Sequence, residues 1–309
     1  MKQGKWLFLG LIVPLTVLTG CEEKPKEEIL TNTRSIEHSL GVTQVPQTPK
    51  RVVTLDTSAL DSAIAVGVIP VGTTVFEDFS SYLSDSTTET IVTVGEGNQP
   101  NLEAIVNLNP DLILGTDISS KRIYGQVSQI APTVLSEGSG RLGKWQKNFQ
   151  LFAEALGKSE IATQKLAGYQ QRVTQLKEEL EKEWGDLSAI EVSVVVTAQG
   201  KFGFYSANSF SGAILQDLGF SRPSHQERLQ RWATLVSREK IEQLDGDMIF
   251  LIHQSNVTAL INDPLISQLN AVQRDRVYPV SAEVWTAGRS ILAAQAVLDD
   301  IAEALKQTP

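Results

Sequence analysis

From Trp145 to Trp184 the chain runs helical in period and rich in Gln, Glu, Lys, Ala and Leu, between two segments built differently. No other feature limits the fold as much. A rigid helical run of this length serves to join two bodies. A coiled coil fits less well, because the heptad pattern is short and interrupted. Gly157-Lys158-Ser159 bends the run, with Ser159 placed to cap a second segment of good helix formers, and Gly185 ends it.

The segments on either side alternate short apolar runs with helical spacing. Before the connection stand Val52-Val53-Thr54-Leu55, a helix from Ser58 to Val66 stopped at Gly67, then Val71 to Val75 and Ile91 to Val94. A helix from Leu102 to Leu108 follows, stopped by Asn109-Pro110, and then Leu112 to Leu114. After the connection come Val192 to Val196, Leu235-Val236, Ile249 to Ile252, Val277-Tyr278 and an amphipathic helix from Ile291 to Leu305. Such alternation predicts a parallel sheet with helices on its faces in each half. Thr33 to Val45, alternating around Gly41, reads as a hairpin. The expected fold class is α/β.

The N-terminus carries export signals. Lys2 and Lys5 precede an apolar run from Trp6 to Thr19. That is the layout of a secretory signal, and it falls short of the roughly 20 apolar residues a bilayer-spanning helix needs. Leu18-Thr19-Gly20-Cys21 follows and resembles a bacterial lipobox. The resemblance implies a diacylglycerol thioether on Cys21, cleavage before it, and an acylated new N-terminus; otherwise Cys21 is a lone thiol. It is the only cysteine, so once lipidated it leaves no structural disulfide. The stretch after it, Glu22-Glu23-Lys24-Pro25-Lys26-Glu27-Glu28, reads as a solvated tether. A net charge of −9 argues against nucleic acid and anionic membrane surfaces as partners. Three histidines and two methionines leave few soft or imidazole ligands for a directly bound transition metal, so no protein metal site is expected.

Each half also contains one copy of the pattern E-x-I-x-x-L-x-x-D-x-I, at 103–113 and 239–249. Ile and Leu three apart share a helix face. Glu103 and Glu239 fall in a first helical turn, where a carboxylate complements the dipole. The pattern is either the ordinary currency of α/β units or the mark of a pseudo-two-fold protein with matched carboxylates on its lobes.

A family resemblance bears on that choice. Pro49 to Leu55, Gly97 to Gly115, Ser237-Arg238-Glu239, Asp263-Pro264-Leu265 and Val277 to Val280 resemble iron-siderophore ABC-transporter substrate-binding lipoproteins of the helical-backbone (class III) periplasmic binding protein type. The resemblance runs from about Arg34 to the C-terminus. It implies two Rossmann-like lobes joined by a long α-helix, with the ligand, a ferric siderophore chelate, between them and no other cofactor. It also implies docking on an ABC permease, served by its ATPase, through one acidic residue per lobe; Glu103 and Glu239 match those positions. On this reading 1–20 is the signal, 21–33 the lipidated tether, 34–143 the first lobe, 144–185 the connection and 186–309 the second lobe, in a monomer held at the cell envelope, periplasmic or on the outer face of the cytoplasmic membrane.

Ligands of parallel sheets sit at the C-terminal ends of the strands. The candidates there are Thr57, Ser58, Phe76, Asn98, Gln99, Thr116, Arg122 and Tyr124 in the first half, and Tyr205, Asn208, Arg222 and Trp285 in the second. Aromatic walls and a few cationic donors suit a chelate whose iron is already satisfied, since Arg contacts carboxylate or hydroxamate oxygens bidentately. Phe76 fits core and cleft equally well, and Arg122 and Arg222 are equally plain surface charges. Cobalamin or haem binding within the same transporter class is the alternative. A lipid-anchored serine acylase, suggested by Ser237-Arg238-Glu239-Lys240, is weaker, because no K-T-G follows it; no catalytic residue is expected.

Overall fold

The computed structural model describes residues 32–75, 83, 88–198, 201–253 and 261–306, together with residue 1. Cys21, most of the acidic tether and Phe76 lie outside the described residues.

Strands β1 (Thr33–His38) and β2 (Gly41–Pro46) form the antiparallel hairpin that the alternation around Gly41 predicts. The first sheet contains β3 (Val52–Thr54), β4 (Gly72–Val75), β5 (Val92–Glu96), β6 (Gln99–Pro100), β7 (Leu112–Thr116) and β8 (Thr133–Ser136). Its order is β6-β5-β4-β3-β7-β8, and every pairing is parallel except that of β6. The second sheet contains β9 (Val192–Ala198), β10 (Lys201–Tyr205), β11 (Ala233–Val236), β12 (Met248–His253) and β13 (Val277–Val280), in the order β11-β10-β9-β12-β13. Here only β9, β12 and β13 are parallel, while β10 and β11 run antiparallel. The mixed second sheet departs from the expected parallel one. Two residues separate β9 from β10, and so short a link permits a hairpin but not a crossover. Gly203 lets β10 lie close to its partner: a Cβ there would come within 2.5 Å of the Thr234 carbonyl oxygen.

Helices α1 (Thr57–Ala65), α2 (Leu102–Asn107) and α3 (Tyr124–Ile130) belong to the first sheet, and α6 (Phe210–Leu218) and α7 (Ile291–Lys306) follow strands or loops of the second. The connection between the sheets is α4 (Trp145–Ala155) and α5 (Ser159–Trp184). Ser159 does not cap α5. Gly157 at φ +70 closes α4, with Lys158 N donating to Ala153 O at 2.7 Å, and this turn delivers Ser159 already helical. The cap position falls to Lys158, whose side chain makes no capping bond.

Period-two alternation sorts the strand residues into separate cores. Val52, Leu112 and Leu114 of the first sheet and Val192, Val194 and Phe250 of the second face one shared cluster with α4, α5 and α7. Val53, Val94 and Ile113 face an outer cluster on one side, and Val195, Ile249 and Leu251 face another. Both sheets are thus buried on both faces, as parallel sheets require. The central cluster belongs to both lobes at once.

The repeated sequence pattern has a common physical content. Ile105 in one copy and Ile241 and Leu244 in the other are buried. The Asp111 carboxylate accepts from Lys50 N and Arg51 N at 2.8 and 2.9 Å, at the entrance to β3, the neighbour of β7. The Asp247 carboxylate accepts from Glu191 N at 2.9 Å, at the entrance to β9, the neighbour of β12. In each lobe the aspartate ties the start of one parallel strand to the next. The helices differ: the second copy is a 3₁₀ segment, Arg238–Leu244, broken at Lys240.

Candidate functional site

The site begins with α1, whose Thr57, Ser58, Asp61 and Ser62 are all buried. They are buried because they meet the segment leading into α7. Thr57 Oγ1 donates to Ala287 O at 2.6 Å, Ser58 Oγ donates to Arg289 O at 3.1 Å, and the Ser62 and Ser290 hydroxyls lie 2.8 Å apart. Asp61 receives Leu292 N and Ala293 N at 3.0 Å each and so satisfies the first turn of α7. This polar seam joins the lobes.

Above the seam lies a cavity of about 540 Å³, lined among the described residues by Glu96, Asn98, Arg141, Tyr205, Trp232, Trp285 and Arg289, with Val75, Gly97, Phe210, Thr286 and Ala287 between them. That volume suits a small organic ligand. One lobe supplies Arg141 and Asn98, and the other supplies the aromatic rings. Arg141 stacks over the Trp232 ring, 5.0 Å from its centroid, and Tyr205 lies 5.7 Å from the same indole. The loop carrying Arg141 comes close because Gly140 leads it: at φ +72, a Cβ there would come within 2.8 Å of Arg289 O. Trp285, in a one-turn π-helix Glu283–Ala287, is fully buried at the cavity base, where its indole Nε1 donates to Asp300 at 2.8 Å.

Arg289 is 5% exposed, and its Nη1 lies 3.9 Å from the Asp56 carboxylate beneath it. Asp56 caps α1 by accepting from Ser58 N at 2.8 Å. Burial pushes its pKa above the ordinary carboxylate value, against the pull of Arg289, the Ser58 amide and Arg141. A partly compensated carboxylate therefore sits under two guanidinium groups, an arrangement able to hold an anion above them.

The residues singled out in sequence fall in different places. Asn98, Tyr205 and Trp285 line the cavity. Thr57 and Ser58 lie in the seam below it. Thr116 is buried beside Asp56 and Ser119. Gln99 is exposed in β6, and Arg122 is exposed on a 3₁₀ turn. Tyr124 packs on the hairpin, its hydroxyl 3.4 Å from His38 Nε2. Asn208 is exposed and donates to Leu229 O at 2.9 Å. Arg222 is not a surface charge: it is 4% exposed and lies behind Tyr205, donating to that residue's carbonyl. Arg141, Trp232 and Arg289 were missed. A local signal exists in Arg231-Trp232 before the strand at Leu235-Val236 and in Gly288-Arg289-Ser290 before a helix; Ser139-Gly140-Arg141 follows β8, which the alternation does not show.

Glu103 and Glu239 are both exposed. Asn101 caps the helix of Glu103 by accepting from Ala104 N at 3.0 Å. The Ser237 hydroxyl, with the Glu239 amide and Arg238, holds the Glu239 carboxyl below its ordinary pKa. Among the described residues no cluster of three His, Cys, Asp or Glu side chains is placed to hold a metal, and no helix is long and apolar enough to cross a membrane.

Two α/β lobes on a shared core, a helical connection and a cavity between them define a class III solute-binding architecture. The chain belongs to the periplasmic binding protein family, whose model matches residues 52–284. It is 32% identical over 316 residues to the probable siderophore-binding lipoprotein YfiY of Bacillus subtilis, covering 96% of this chain and 95% of that one. It is 33% identical over 268 residues to the achromobactin-binding periplasmic protein of Dickeya dadantii, covering 82% and 86%. Among solved structures it matches Staphylococcus aureus SirA complexed with staphyloferrin B, at a TM-score of 0.79 and 29% identity, over 89% of this chain and 99% of that one. The family is one of binding proteins, which sets the acylase reading aside.

Proposed function

We propose that this chain captures a ferric siderophore in the cavity between its lobes and delivers it to an ABC permease for iron uptake. The observation that carries the reading is the pairing of Arg141 and Arg289 with the Tyr205, Trp232 and Trp285 rings in one cavity between two lobes. The iron of such a ligand needs no protein donor. The guanidinium groups meet the anionic oxygens of the chelate, and the rings cover its organic body. The names of the relatives support a ferric chelate over cobalamin or haem.

In this reading Cys21 carries the lipid, 21–33 tethers a monomer to the envelope membrane, and 34–143 and 186–309 act as lobes joined through 144–185. Asn98 also contacts the ligand. Glu103 and Glu239 meet the permease. Exposed ion pairs contribute roughly 0–1 kcal/mol each, yet they orient an encounter and set its rate, which is what a shuttle needs.

The test is a tryptophan-quenching titration with ferric citrate, ferric staphyloferrin B, a ferric hydroxamate, cobalamin and haem. Trp232 and Trp285 report from within the cavity. Saturable quenching by a ferric chelate is expected; a response to cobalamin or haem alone would overturn the reading.

A further inference from the structure

Arg222 is a buried guanidinium with no carboxylate partner among the described residues. Its Nη2 donates to the Tyr205 carbonyl at 2.5 Å and to Gln226 Oε1 at 3.0 Å, while Nε and Nη1 find no acceptor among the described residues. Burial lowers its pKa to about 9. Desolvation of a buried charge opposes what its hydrogen bonds contribute, so a group held this way adds little to stability.

Gln226, itself fully buried, extends the contact. Its Nε2 donates to Ser193 Oγ at 2.7 Å and to the Gln243 carbonyl at 3.0 Å. Gln243 belongs to the 3₁₀ segment Arg238–Leu244, which presents Glu239 to solvent. At the other end, Ser206 N donates to Trp232 O at 2.9 Å, so the Tyr205 and Trp232 sides of the aromatic wall are fastened together. An unbroken run of hydrogen bonds therefore leads from the cavity wall through Arg222 and Gln226 to the segment bearing Glu239. The planar guanidinium is a pre-organised fork that loses less freedom per hydrogen bond than a flexible ammonium, and chains of buried hydrogen bonds reinforce one another.

We propose that Arg222 and Gln226 are positioning residues that make the cavity wall at Tyr205 and the surface segment Arg238–Leu244 move as one part, so that occupancy of the cavity is expressed at Glu239. The inference rests on the ligand and docking readings above, and it adds the route between the two surfaces. A ligand that settles against Tyr205 moves its carbonyl. Arg222 follows, and Gln226 carries the shift to Gln243. The physical warrant for such coupling is an element with two arrangements whose balance both sites bias, and the test below asks whether this one has them.

Hydrogen exchange of the full-length chain in detergent tests it, with ferric citrate and ferric staphyloferrin B as probes. In the ligand-free protein, Gln226→Leu keeps the bulk but removes both amide donations. It should raise exchange by at least about threefold in both 205–207 and 238–244 and leave β3 and β7 unchanged. With chelate bound, the wild type should change protection at both places. Gln226→Leu should bind within about threefold of wild type yet show no response at 238–244. Arg222→Lys keeps one donor for the Tyr205 carbonyl and should recover part of the response, whereas Arg222→Met should recover none; these variants serve if Gln226→Leu does not fold. An effect confined to one end, or a wild-type response at 238–244 that survives in every variant, overturns the coupling. If the wild type binds neither chelate, the proposed ligand falls, and the ligand-free comparison still decides whether the two segments move together.

Discussion

Replacing Asp61 by asparagine asks what the seam between the lobes contributes. The side chain is fully buried and accepts two backbone N–H groups, from Leu292 and Ala293, at 3.0 Å each. Two effects oppose each other. Burying a carboxylate carries a desolvation cost, and removing such a charge is sometimes stabilising. Against that, a hydrogen bond to a charged group contributes about 1.5–3 kcal/mol, and a negative charge at a partly buried helix N-terminus up to about 2 kcal/mol. Asparagine keeps one acceptor and turns an N–H₂ group toward the other donor, so one bond and the charge are lost together. The cap should prevail, because both carboxylate oxygens are engaged and aimed at the dipole of a 16-residue helix. The expected loss is about 2–4 kcal/mol, which for a chain of this size lowers Tm by roughly 3–7 °C. Calorimetry checks it. The transition should stay single, because α7 packs in the cluster that both sheets share. An unchanged or raised Tm would mean that desolvation dominates, and a split transition would mean that the lobes do not share their stability.

Arg141→Ala and Arg289→Met should each weaken binding of an anionic ferric chelate by about 10–100-fold, the equivalent of one charge-assisted contact, as read by tryptophan quenching; equal affinity would remove these residues from recognition. The raised pKa of Asp56 makes the folded chain hold that proton more tightly than the unfolded one. Wild-type stability from this group therefore falls as pH rises from the ordinary carboxylate value through the raised folded one. Asp56→Asn keeps the α1 cap with no proton to lose, so its Tm should exceed wild type above that window and converge with it in acid; parallel Tm curves across pH would contradict this. Charge reversal at both Glu103 and Glu239 should abolish iron uptake by cells and leave chelate affinity intact, and lost affinity with uptake preserved would refute the docking assignment.

Much of the fold can be read in the sequence because period-two and period-3.6 patterns are local. The hairpin around Gly41, strands β3, β7, β9 and β12 and helix α7 all lie where their apolar spacing puts them. What escaped was set by pairing. Lys201–Tyr205 is short and interrupted by Gly203, and only its close approach to β11 makes sense of that glycine. The cavity was less legible, for a related reason. Arg141 is placed by a loop after β8, a strand the alternation alone did not reveal, and Arg289 is placed by the seam under α1, a contact between residues more than two hundred apart in sequence. Arg222 shows the converse. A charged residue in a polar stretch reads as surface or ligand contact, and only the packed structure turns it inward.

These features bear on how a loaded binding protein differs from an empty one. Wide hinging would have to part the shared cluster, in which Phe152, Phe210, Phe250, Trp285 and Leu298 are buried together. Exposing even a few such side chains costs about 1.5–3 kcal/mol each, and the seam of Thr57, Ser58, Asp61 and Ser62 adds buried hydrogen bonds that would open with it. In the proposed binding mode, a ligand held by two guanidinium groups and three rings has limited binding energy to spend on that motion. Small displacements of the cavity wall are cheaper. On the coupling proposed above, a short internal relay would express occupancy at less cost than hinging, and the Arg222–Gln226 pair lies between Tyr205 and the segment that carries Glu239.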